Sequence, residues 1–230
     1  MLINNAYSDF ASPQGFIVVD GVNGAGKGTL LGKLVPYLES KNKKVVLTRE
    51  PGGTELGIQL RALLLEERAG KLAPITEVML FAADRAEHVA TKIRPALAGG
   101  AVVLSDRYRY STAAFQGYGR GLDLEKINQI NTIAIDGMVP DLVLLLDLSP
   151  EDGLKRLRGR KQISTASGEE ERDTFEREEL AFHQRLRSGF LRMAEEFPEP
   201  FLKVDAAQTP EQIFQFVRPL IDIWLAKLSS

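Results

Sequence analysis

The nine residues Gly21 to Thr29 read Gly-Val-Asn-Gly-Ala-Gly-Lys-Gly-Thr and directly follow a short apolar run, Phe16 to Asp20. Closely spaced glycines let successive backbone N–H groups turn toward one anion. Lys27 adds a charge able to follow the β- and γ-phosphates of a nucleotide. The segment from Lys27 to Ser40 is helix-permissive apart from Pro36, so the loop joins a strand to a helix whose N-terminus favours the same anion. A Gly-rich turn without a ligand is the bland alternative, and the strand before and helix after it argue against that. All nine positions, Gly21, Val22, Asn23, Gly24, Ala25, Gly26, Lys27, Gly28 and Thr29, are therefore candidate contacts for a nucleotide's phosphates. Gly28 stands where many such loops carry a Ser or Thr magnesium ligand, so magnesium must be held mainly by phosphates, water and a carboxylate elsewhere.

The pattern of strand followed by helix then repeats. Strands are expected at Val45 to Thr48, Ala101 to Ser105, Leu142 to Leu148 and Phe201 to Val204. Helices are expected at Glu55 to Glu67, Ile75 to Ala98, Leu124 to Asp136, Glu151 to Arg160, Thr174 to Glu196 and Pro210 to Leu228. Three of the five strands are almost wholly apolar, as in a parallel sheet covered on both faces. The reading is one doubly wound α/β domain, residues 16–230, behind an N-terminal extension of residues 1–15. Lys161 to Asp173, KQISTASGEEERD, is polar and reads as an exposed, mobile loop.

Bulk composition excludes several classes of function. Lys plus Arg number 29 against 31 Asp plus Glu, so no basic field recruits a nucleic acid polymer. The chain has no cysteine, which removes disulfides and thiolate metal sites and fits a reducing cytoplasm. No stretch approaches a membrane span, and Met1 to Gly15 lacks the features of a secretory leader.

After the second strand the chain reads TREPGGT, Thr48 to Thr54. Further on come LFAADRAEH (Leu80 to His88), Asp106-Arg-Tyr108, Ser111, Ala114-Phe-Gln-Gly117, Pro140-Asp141 and Val204-Asp-Ala206. With the phosphate loop, these motifs closely resemble the thymidylate kinases, which phosphorylate dTMP with ATP. The resemblance spans nearly everything beyond the N-terminal extension. It implies the P-loop NTPase fold, a five-stranded parallel sheet flanked by helices with a mobile lid (about residues 156–176), with ATP as phosphoryl donor, Mg2+ as cofactor and a homodimer as the assembly.

The same residues make chemical sense without the family. Two anionic nucleotides can meet only among fixed cations. Arg49 ends a strand and its planar fork suits a phosphate, although pairing with Glu50 would serve as well. Phe81 and Arg85 share a helical face, so a ring and a guanidinium can address one base; an ordinary core Phe and a solvated Arg fit that spacing too. The resemblance assigns Arg49 to the dTMP phosphate, Glu50 and Pro51 to the pocket wall, Phe81 to thymine stacking and Arg85 to a thymine carbonyl. It makes Arg107 a catalytic clamp on the phosphate being attacked and Asp106 a partner of the magnesium shell. It puts Ser111, Phe115 and Gln116 on the sugar and base side, with Phe115 where bacterial relatives often carry Tyr. Asn23 replaces the family's usual acid near the acceptor sugar, keeping hydrogen bonding but no charge.

Arg156, Arg158 and Arg160 precede the polar loop. Because the phosphate loop carries no Arg, the resemblance draws the catalytic Arg from the lid: Arg160 fits best, Arg156 lies on adenine, and Arg158 or Arg172 are alternatives. Thr174 stands where the family often has Arg. The expected reaction is transfer of the ATP γ-phosphoryl to dTMP by Lys27, Arg107 and Arg160. The alternatives are another nucleoside monophosphate or deoxynucleoside kinase, or a non-catalytic nucleotide-binding regulator.

Overall fold

The computed structural model describes residues 13–65, 72–164, 175 and 178–228, with residues 160–164 described by backbone alone. Five strands, β1 (Phe16–Gly21), β2 (Val45–Arg49), β3 (Val102–Asp106), β4 (Leu142–Asp147) and β5 (Phe201–Asp205), form one sheet ordered β2-β3-β1-β4-β5. Every pairing is parallel, with Val19 opposite Asp106 and Gly21 opposite Leu146. The strands rich in Val, Ile and Leu (β3, β1 and β4) occupy the centre and are buried on both faces, whereas edge strands β2 and β5 expose Leu47, Arg49, Lys203 and Asp205. The nearly all-apolar runs are thus the strands covered on both faces, as expected of a parallel sheet.

Helices α1 (Lys27–Ser40), α2 (Glu55–Leu65), α3 (Pro74–His88), α4 (Arg94–Ala98), α5 (Arg109–Thr112), α6 (Leu124–Ile135), α7 (Pro150–Ser164), α8 (Leu180–Glu196) and α9 (Pro210–Leu228) cover the sheet. A π-helical segment, Val89–Ile93, joins α3 to α4, and a second, Ala113–Gly119, continues α5. α1 runs unbroken through Pro36.

Strand order turns back between β3 and β1, which opens a crevice at the C-terminal ends of those strands. The P-loop leaves β1 there, and Asp106 and Arg107 leave β3 beside it. At the opposite end of the sheet, Asp141 gathers the chain start: its Oδ2 accepts from the Gly15 and Phe16 amides at 2.8 and 2.9 Å and from Trp224 Nε1 at 3.3 Å, and its Oδ1 accepts from the Gln14 amide at 2.9 Å.

Three expectations need correction. Lys161 to Ser164 belongs to α7 rather than to a loop, as the helix formers Lys161, Gln162 and Ile163 allow; residues 165–174 lie outside the described residues, as do residues 1–12 of the extension. α8 begins at Leu180 instead of Thr174, entered through extended Glu179 (φ −63°, ψ 155°). The run Arg109–Gly119 was not anticipated as helical, since Gly117 and Gly119 interrupt its pattern.

Candidate active site

The crevice opens into a cavity of about 830 Å³ whose wall runs from the phosphate loop, Asn23 to Leu30, through Arg49, Glu50 and Pro51 to Phe81, Phe115 and Gln116. Gly21, Gly24 and Gly26 take φ values of 136°, 79° and 96°, conformations that L side chains resist, so the loop can wrap an anion. Gly21 and Val22 stand behind the cavity wall, where their carbonyls accept from Lys27 Nζ at 3.2 and 3.1 Å. Gly24 meets the start of α7 so closely that a Cβ there would lie 2.4 Å from the Gly153 carbonyl oxygen. The helix expected to carry the lid arginines therefore rests on the phosphate loop backbone to backbone. Arg156 lines the cavity and Arg158 is exposed, while the Arg160 side chain and all of Arg172 lie outside the described residues.

Arg107 adopts φ 73°, unusual for a residue with a side chain. Its amide donates to the Val19 carbonyl at 3.0 Å and its carbonyl accepts from Ser105 Oγ at 2.8 Å, which holds the turn. Its guanidinium donates to Ser111 Oγ at 2.8 Å, to the Gly21 carbonyl at 3.0 Å and to Asn23 Oδ1, and stacks 5.1 Å from the Phe115 ring centre. Strained backbone held by several bonds is characteristic of functional positions. Behind it lies fully buried Asp20, which sequence reasoning did not single out. Its Oδ1 accepts from Ser111 Oγ at 2.7 Å and the Gly21 amide at 2.8 Å. Burial raises the Asp20 carboxyl pKa, against which Arg107, Lys27 and these hydrogen bonds act. The available signal was a lone acid closing an apolar strand, which must find partners once buried.

Asp106 lines the same end, with a buried Oδ1 that has no hydrogen-bond partner. No cluster of three or more His, Asp or Glu able to hold a metal occurs among the described residues. A cation whose other ligands are phosphate and water suits one such carboxylate.

The acceptor floor is built differently. Glu50 does not pair with Arg49; it is buried, and its Oε2 accepts from Arg85 Nε at 2.8 Å while its Oε1 lies 2.9 Å from His88 Nδ1. His88 Nε2 is 2.7 Å from Thr48 Oγ1. Arg49, exposed at the mouth, is left without an ion pair among the described residues. Arg85 is only 1% exposed and also donates to Asn131 Oδ1 at 2.6 Å and Thr112 Oγ1 at 3.0 Å. Three of a guanidinium's five N–H groups are thus committed, which leaves two for any ligand. Asp84, packed beneath the Pro51-Gly-Gly turn, accepts from the Gly52 amide at 3.0 Å; burial and then Glu50 push its pKa up to about 6.

Gln116 sits in the π-helical segment, a feature frequent at functional sites. It is buried, and its Nε2 donates to Glu77 Oε1 at 2.8 Å. Phe81, half-buried, lies 6.4 Å from the ring of Phe175, which in turn meets Phe115 edge-on at 5.1 Å. Phe175 was missed because its packing belongs to residues remote in sequence.

A sequence model of the thymidylate kinase family matches residues 19–217. The chain belongs to the thymidylate kinase family. The thymidylate kinase of Desulfovibrio desulfuricans is 48% identical over 212 residues, which cover 92% of this chain and 97% of that protein. That of Gloeobacter violaceus is 46% identical over 215 residues, 94% and 98% of the two chains. The crystal structure of a thymidylate kinase from Ehrlichia chaffeensis superposes with a TM-score of 0.71 at 29% identity, covering 91% of this chain and 99% of that one. Family and fold together make the chain a nucleoside monophosphate kinase of the P-loop type.

Proposed function

We propose that this chain transfers the γ-phosphoryl group of ATP to dTMP, yielding dTDP and ADP. The observation that carries the reading is the convergence of Lys27, Arg107 and Asp106 with Arg49, Phe81, Phe115 and Gln116 on the wall of a single cavity. A donor loop and an aromatic, amide-bearing acceptor pocket thereby share one space.

The acceptor is already an anionic phosphate oxygen, so the chemistry needs positioning and charge neutralisation rather than a strong base. Lys27 binds the donor phosphates, Arg107 clamps the phosphate being attacked, and Arg156 with Arg160 or its neighbour Arg158 or Arg172 closes over the ATP. Arg49 anchors the dTMP phosphate, Ser111 and Asn23 face its sugar, Phe81 stacks on the base, and Phe115 presses on the sugar. Arg85 offers its two uncommitted N–H groups to a thymine carbonyl. Asp106, with Thr29 nearby in place of a hydroxyl at Gly28, would hold Mg2+ through water. Mg2+ held there would supply positive charge against the donor phosphates. Asn23 brings no carboxylate to activate a neutral hydroxyl, which favours a monophosphate over a nucleoside as acceptor.

Incubating the protein with ATP, Mg2+ and dTMP, dUMP, thymidine, AMP or GMP, and resolving the products by chromatography, tests the reading. Fastest conversion of dTMP to dTDP is expected; binding of ATP and dTMP without any dTDP would overturn it. The partner in solution is a second copy: α3 packs between α2 and α6, and Leu56, Leu63, Ile75, Met79 and Ile133 on these helices are exposed. Light scattering should report twice the 25.4 kDa chain mass, and a monomer would remove the dimer from the account.

A further inference from the structure

We infer that Glu77, a residue outside the cavity wall, sets which pyrimidine the site accepts by fixing the orientation of the Gln116 side-chain amide. The inference rests on the acceptor reading given above and deepens it. Either end of a Gln amide can in principle face a ligand, and the two ends are opposite in character: the NH2 donates and the carbonyl oxygen accepts. Here the choice is made from behind. Glu77 is buried, and Arg120 donates from Nε to its Oε1 at 2.9 Å and from Nη2 to its Oε2 at 3.2 Å. A carboxylate held by a guanidinium is an acceptor at both oxygens, so the only Gln116 group it tolerates at 2.8 Å is the NH2.

With Nε2 committed to Glu77, Gln116 Oε1 faces the other way. It is buried without a hydrogen-bond partner, on a residue that lines the cavity. A buried acceptor left unpaired is costly, so it selects a ligand that brings a donor. Arg85, on the same wall, supplies the opposite character with its two remaining N–H groups. One donor and one acceptor lining the same cavity match a base that carries a carbonyl at ring position 4 and an N–H at position 3, which is thymine or uracil. Cytosine presents an amino group at position 4 and a lone pair at position 3, so it meets donor with donor and acceptor with acceptor. A site that hydrogen-bonds its substrate in this way rejects the mismatched analogue far more strongly than packing alone can.

Glu77 is a positioning residue in this account, since it touches Gln116 and not the substrate. Its place is not incidental. Glu77, Phe81 and Arg85 succeed each other at four-residue intervals and so share one face of α3. Arg120 is itself fixed by Glu178 at 3.0 Å and stacks 5.0 Å from the Phe175 ring centre, so the orienting carboxylate is held from the segment that follows the lid as well.

The experiment compares kcat/KM for dTMP, dUMP and dCMP in the wild-type chain and in Glu77→Gln, with a thermal melt of each protein. A glutamine at 77 can donate or accept, so the Gln116 amide becomes free to turn over. The dTMP to dCMP ratio is expected to fall at least tenfold, in part through a gain with dCMP, while dTMP to dUMP stays within about twofold because both bases carry the N3–H. A purely structural defect lowers all three in proportion; an unchanged dTMP to dCMP ratio overturns the inference. If Glu77→Gln fails to fold, Gln116→Met removes the acceptor at similar volume, and retention of the wild-type ratio there overturns it equally. Wild-type protein that forms no dTDP defeats the parent reading and this inference with it, whereas active wild type with unaltered variant ratios defeats this inference alone.

Discussion

The donor loop and the acceptor floor face each other across one cavity, yet they are made of different material. The donor loop is backbone: glycines at left-handed φ, amide groups, and a lysine tied to carbonyls five and six residues away. The acceptor floor is side chain on side chain, with Glu50, Arg85, Asn131 and Thr112 brought from separate elements into one buried network. A loop of the first kind can be damaged with loss of rate and little loss of fold. A floor of the second kind supports the protein as well as the substrate, because an ion removed from a buried pair strands its partner.

The largest expected effect lies at the boundary between the two. Arg107→Ala removes a preorganised cation from the transferring phosphate and should lower dTMP turnover by about 100- to 1000-fold. Its urea midpoint should move less than that of the floor variants; near-normal turnover would end the assignment. Next comes Glu50→Ala, which leaves Arg85 and His88 buried without their acid and should cost about 3 kcal/mol or more of unfolding free energy. A loss below about 1 kcal/mol in urea titration would show that the floor is no more structural than the loop.

The third test uses pH. Asp84 is raised from an ordinary 3.8 to about 6, so the folded chain holds this proton more tightly than the unfolded chain does. Its contribution to stability is therefore complete below about pH 4 and is lost as pH rises through about 6. Asp84→Asn, which keeps an oxygen for the Gly52 amide, should be more stable than wild type at pH 7.5 by on the order of 2 kcal/mol, with the gap closing toward pH 4. A gap that ignores pH would clear Asp84 of this role. The smallest effect calibrates the others: Asp123 caps α6 by accepting from the Glu125 and Lys126 amides at 3.0 and 3.4 Å, away from both regions. Asp123→Ala should cost about 1 kcal/mol and leave nucleotide selectivity as it was.

The same contrast explains what could be read from the sequence. The phosphate loop is contiguous, and its glycines declare their conformation residue by residue, so strand, loop and helix were legible together. The apolar runs of β1, β3 and β4 gave the core of the sheet for the same local reason. The floor was legible only as named residues without their bonds. Glu50 reads as a natural mate for adjacent Arg49, yet a strand turns neighbouring side chains to opposite sides, and Glu50 goes inward to Arg85 while Arg49 goes to the cavity mouth. The glycines on either side of Gln116 hid a π-helical segment. Asp20, Glu77 and Phe175 gave no signal that periodicity could weigh, since each is defined by a partner dozens of residues away.

The grip of Asp141 on the amides of Gln14, Gly15 and Phe16 has a practical side. β1 is six residues long and runs from that grip to the phosphate loop, so about 20 Å of strand separates the two. A tag or fusion partner joined ahead of Pro13 is attached at the end of the sheet opposite the phosphate loop and should leave catalysis untouched. Joined after Phe16, the same insertion would cut the strand that aims the loop.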